Sequence, residues 1–118
     1  MKRIEIVTYK EKEIVRFDYR GLTEDGEFLE ALSQGAKFLL DLGRPTLQLT
    51  NIEGLFFTPP IMKKIDEAGK RIEHLVIKDA IVGVTGVKRI LFQAYNAVVG
   101  GKAKAFDTEE EALEWLVK

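Results

Sequence analysis

The stretch "LQLTNIEGLFFTPPIMKKI" (residues 47–65) contains a strand, a loop and the start of a helix. Leu47 and Leu49 face one way, and Thr46, Gln48 and Thr50 face the other. That is the period of two of a half-buried strand. Leu55, Phe56 and Phe57 follow in the loop, and Thr58 then caps a helix with Pro59 at its first position, where a missing N–H costs nothing. The apolar side of that helix is Ile61, Met62, Ile65, Ala68, Ile72 and Leu75.

The same strand-then-helix unit recurs on either side. "KRIEIVTY" and "EIVRFDY" both alternate, and the link between them is so short that they form an antiparallel hairpin. A helix then runs from a cap at Thr23 to Gly43 and Pro45, with Phe28, Leu29, Leu32, Ala36, Leu39 and Leu40 at helical spacing. "DAIVGVTG" is apolar on both faces, so it is an inner strand. Gly86 opens a third helix, with a core stripe at Val87, Ile90, Leu91, Ala94 and Val98 and a second apolar set at Phe92, Tyr95 and Val99. "KAKAF" is an edge strand. In "DTEEEALEWLVK", Thr108 and Glu111 make a capping box for a final helix.

The resulting order is β-β-α-β-α-β-α-β-α, a single α/β domain over residues 1–118. Helix-linked strands are parallel, and their crossovers right-handed. The first three strands alternate cleanly, whereas strands covered on both faces read as apolar runs. This predicts a five-stranded mixed sheet in sequence order, with helices mainly on one face and part of the other face wet.

Composition bounds the function. Of 118 residues, 46% are hydrophobic and 31% charged, as expected of a globular chain. A formal net charge of −1 gives no general attraction to nucleic acid or an acidic membrane. No cysteine is present for disulfide or thiolate chemistry. "MKRIEIVTYK" lacks a signal-peptide core, and no apolar run could span a bilayer, so a cytoplasmic location is expected.

The element order, the 47–65 unit, the "AIVGV" strand and the ending "FDTEEEALEWL" resemble the SpoIIAA-like group, related to STAS domains. Within it, the chain is similar to stand-alone bacterial STAS-like and CRAL-TRIO-like small proteins. The resemblance implies a β-α superhelix. It also implies a regulatory role, because the best-known STAS members are anti-sigma-factor antagonists switched by phosphorylation of a serine at the start of the second helix. Thr58 takes the place of that serine, while Phe56 replaces an aspartate of the pattern and Pro59 a glycine. The loop that would dock a kinase is thus apolar here.

Three regions are candidates for function. Leu55, Phe56, Phe57 and Thr58 follow a parallel strand, where α/β sheets bind ligands and partners. Phe92, Tyr95 and Val99 give the third helix more apolar surface than one sheet face covers. Gly86, Lys88 and Arg89 mark a strand-to-helix turn that could hold an anion, although basic residues at such turns are more often solvated. His74, without cysteine or a second histidine, makes no histidine-rich metal site. Ser33, the sole serine, lies mid-helix, and Glu109 and Glu110 occupy an exposed first turn. No catalytic constellation and no cofactor are read here. The expectation is a non-enzymatic regulatory or interaction domain acting through the 55–58 loop and the third helix, on a protein partner or on itself as a homodimer. The alternative is a carrier of an apolar or lipid-like ligand.

Overall fold

The computed structural model describes residues 2–118. Its strands are β1 (Ile4–Tyr9), β2 (Lys12–Asp18), β3 (Thr46–Asn51), β4 (Val76–Val82) and β5 (Ala103–Phe106). Its helices are α1 (Asp25–Leu42), α2 (Pro59–Ile72), α3 (Lys88–Val98) and α4 (Glu109–Leu116). The sheet runs β1-β2-β3-β4-β5, with β1 antiparallel to β2 and every later pairing parallel. The β1–β2 hairpin turns on Lys10 and Glu11, both at positive φ, the geometry that matches the twist of the flanking strands.

Consecutive strands joined by crossovers of one hand put every crossover helix on the same face. Accordingly, Val15, Phe17, Tyr19 and Ile81 share a core with Phe28, Ala36, Ile61, Ile72 and Val99 from α1–α3. Three of the four helices thus share one face, as the sequence predicts, and the fourth lies on the other. It follows the last strand, so no crossover fixes its side, and it covers the opposite face through Ala112 and Leu116 against Ile14, Leu49, Ala80 and Val82. The face expected to be partly wet is therefore capped over β3–β5. This is also why β4 is apolar on both sides.

Two local readings are corrected. Glu24, not Thr23, is the residue preceding α1, in an extended conformation that begins the helix without a side-chain cap. The inward stripe of α3 is Lys88, Leu91, Phe92 and Tyr95, continued by Val99 just past its end, while Val87 and Ile90 are 73% and 70% exposed. The sheet selects one of two apolar faces that the helix offers, and the aromatic face fills more space.

Candidate functional site

The alternation of β3 has a consequence at the centre of the molecule. Leu49 faces α4, so Gln48 and Thr50 point into the layer between the sheet and α1–α3. On β4, Asp79 and Ile81 point the same way. These side chains meet a cavity with about 100 Å³ of free space, walled by Phe17, Phe28, Leu39, Ile65, Leu91 and Phe92. A space of that size is close to one that accepts a small apolar molecule in an engineered core, about 150 Å³.

Asp79 is 2% exposed and forms the polar floor. Its Oδ1 accepts a hydrogen bond from Thr50 Oγ1 at 3.0 Å, and its Oδ2 accepts from Tyr95 Oη at 2.7 Å. Burial pushes its carboxyl up to about 6, although both hydroxyl donors favour the charged form. Burial, with the Asp79 charge nearby, also pushes the Tyr95 and Tyr19 phenols up. Tyr19 lines the same cavity, and its hydroxyl lies over Gly35, where an added Cβ would come within 2.7 Å. A glycine in mid-helix costs stability, and here it makes room for the Tyr19 and Phe17 rings. Gln48 is turned along the strand, its amide donating to Thr46 Oγ1 at 3.1 Å and to the Leu75 carbonyl at 3.4 Å.

The 55–58 loop divides its residues. Leu55 is buried in the core. Phe57 lines the cavity and packs on Phe28, with ring centroids 4.9 Å apart. Phe56 is 86% exposed. Thr58 sits at the N-cap of α2, exposed, with no side-chain cap bond. The loop is held against the turn after β4. Ile52 N–H donates to the Val82 carbonyl, and Gly83 at φ +98° comes so close to Glu53 that an added Cβ would lie 2.6 Å from its backbone nitrogen.

The structure thus brings Phe57, Phe92 and Tyr95 to one cavity and leaves Phe56 outside it; Val99 is wholly buried in the core. In the basic turn, Gly86 takes positive φ and Arg89 is exposed, but Lys88 is turned inward. The Lys88 ammonium donates to the Ile52 carbonyl at 3.3 Å, and burial lowers its basicity. The 3₁₀ turn at Glu73–Leu75 carries His74, which is exposed, as is Ser33. Among the described residues, no three His, Cys, Asp or Glu side chains gather to hold a metal. None of the helices there is long and apolar enough to cross a membrane.

A second polar cluster lies on the α4 face. Glu109, expected in an exposed turn, is half-buried and receives both Arg16 Nε and Nη2, at 2.9 and 2.7 Å, and Asn51 Nδ2 at 2.7 Å. Arg20 clamps the fully buried Asp18 at 2.9 and 2.8 Å. At the far end of α4, Glu114 pairs with Tyr9 and Lys10. Every one of these groups has a partner, and those of Glu109 and Glu114 fasten α4 to the sheet.

Sequence reasoning missed Asp79, Tyr19 and Thr50. The available signal was the acid itself: Asp79 stands in "VIKDAIVGV", a strand otherwise apolar on both faces, where an ionisable group demands an explanation.

No protein-family model matches the chain, and no curated protein does. Among solved structures, it is similar to an uncharacterized protein of the DUF3478 family, with a SpoIIAA-like fold, from Shewanella loihica PV-4. The two are 18% identical, with a TM-score of 0.69 over 96% of this chain and 91% of that one. With its five strands in sequence order, its one antiparallel edge and its four helices, the chain has the SpoIIAA-like fold.

Proposed function

We propose that this protein is a non-catalytic binding module that holds a small apolar ligand between its sheet and helices α1–α3. One observation carries the reading: a cavity of about 100 Å³, walled by apolar and aromatic side chains, is built around a buried carboxyl group. Well-packed interiors keep few voids larger than water, and a buried acid without a cationic partner costs stability. A domain that retains both forgoes stability that a filled, apolar centre would supply. Pockets that combine apolar walls with a few convergent polar groups are the usual form of small-molecule sites.

Native mass spectrometry of the purified protein tests this directly. A mass adduct lost on replacing Phe92 by Ser supports it. A bare monomer, whose stability alone changes in Phe57→Ser and Phe92→Ser, counts against it.

A second reading rests on a different observation. Phe56, Val87 and Ile90 are all largely exposed, on neighbouring turns at the carboxyl end of the parallel strands. Exposed apolar groups in that position favour contact with a protein partner or a second copy of the chain. A dimer in the native spectrum that disappears in Phe56→Ser supports this role; a monomer at every concentration speaks against self-association.

A further inference from the structure

We infer that the ligand held in the cavity is a small neutral molecule carrying a hydroxyl group, an alcohol or a phenol, and is neither a carboxylate nor an amine. This rests on the ligand-binding reading above and specifies its chemistry. Asp79 can only accept when ionised, and each of its oxygens has two lone-pair sites, of which Thr50 and Tyr95 occupy one apiece. One acceptor site per oxygen is left. Tyr19 supplies the complementary group. It is 5% exposed, it lines the cavity, and among the described residues no side-chain hydrogen bond engages its hydroxyl. A hydroxyl ligand satisfies both at once, donating to Asp79 and accepting from Tyr19. A hydrocarbon of the same shape leaves the Tyr19 hydroxyl without a partner and the remaining acceptor sites of Asp79 unused, which is the costlier arrangement.

Charge disfavours the other classes. A carboxylate would place a second negative charge beside Asp79, and the lysine in the lining, Lys88, is already turned to the Ile52 carbonyl. Even paired with Asp79, an ammonium would have to shed its water among apolar walls, with Lys88 as a second cation in the lining. The free space suits a single ring or a short chain.

The test uses the whole protein at pH 7.5 with four probes built on one ring: phenol, benzene, benzylamine and benzoate. Affinity is followed by titration while amide chemical shifts are recorded. The expected result is phenol binding at least tenfold more tightly than each of the other three, with shifts at Thr50, Asp79 and Tyr95. Tyr19→Phe keeps the ring and removes only the hydroxyl, so it should cut the preference for phenol over benzene severalfold without unfolding the protein. Asp79→Asn should do the same. Equal binding of phenol and benzene overturns the inference and leaves the cavity a ligand site. Tightest binding of benzoate or benzylamine overturns it as well. If none of the four binds, the inference and the reading beneath it both fail.

Discussion

Two buried aspartates, one on each face of the sheet, show how differently the two faces are built. Asp18, under the edge of the α4 layer, is clamped by Arg20, with Arg16 at 3.6 Å. The Arg20 hydrogen bonds hold its carboxyl below the ordinary range despite burial. Asp79, in the α1–α3 layer, has two neutral hydroxyls for company, and burial raises it to about 6. Around Asp18 the charges pair with one another, and the neighbouring core, with Ile14, Leu49, Ala80 and Val82 at 0% exposure, is filled. Around Asp79 there is open volume and aromatic wall. One face is arranged for cohesion, the other keeps capacity in reserve.

The comparison can be broken by substitution. The largest effect is expected from Asp18→Asn. It leaves Arg20 without its acid, while Arg16 keeps Glu109; with Arg20 45% exposed, the loss is about 2–3 kcal/mol, measurable in urea unfolding at pH 7. A loss under ~1 kcal/mol would mean that the arginines rehydrate freely and that the cluster contributes little.

The pH dependence should separate the two acids by sign. Because the Asp79 carboxyl is raised in the folded state, the native protein holds that proton more tightly than the unfolded chain does. Its contribution is therefore present below about pH 4 and is lost as pH rises through about 6, on the order of 2–3 kcal/mol across that window. Asp18, lowered when folded, contributes above its unfolded value near 3.8 and loses that contribution as pH falls further. Asp79→Asn should flatten the stability profile between pH 4 and 7. An unchanged profile would show that the acid is solvated as an ordinary surface carboxylate is.

Smaller effects sharpen the picture. In Gly35→Ala, the new methyl meets Tyr19 Oη at 2.7 Å and Phe17 Cε1 at 3.2 Å. Overpacking of about 1–3 kcal/mol is partly offset by the better helix propensity of alanine, leaving a net loss of about 1 kcal/mol in thermal unfolding. Because the Tyr19 ring must swing aside, ligand affinity should fall with it. The smallest effect is expected from Phe56→Ser. With 86% of that residue exposed, stability should stay within about 0.5 kcal/mol, while any self-association that uses the ring is abolished.

Much of the fold was legible because period and punctuation are local. The hairpin, the Thr58 and Thr108 caps, and Pro59 at the first position of α2 all follow from neighbours in the chain. The third helix was harder. Its two apolar sets, Val87 with Ile90 and Phe92 with Tyr95 and Val99, compete on equal local terms, and only the sheet decides between them. Of the site, Phe57, Phe92 and Tyr95 could be named from apolar surplus. Asp79 stands out locally only as an acid in an apolar strand, and its partners do not follow from its neighbours: Thr50 lies 29 residues away on β3 and Tyr95 16 residues away on α3, while Tyr19 reaches the same cavity from the end of β2.

By itself, the sequence determined the order of elements, the pairing of the first two strands and the parallel run of the rest, because crossovers of one hand leave consecutive strands little choice. Only the tertiary structure decided which side of β3 would face which helices. The choice was settled by α4, which closes over Leu49 and Leu47 because no later strand binds it to the other face. With that side filled, the polar residues of β3 and β4 were turned inward, beneath three helices, where a carboxyl must find hydrogen-bond partners in place of water.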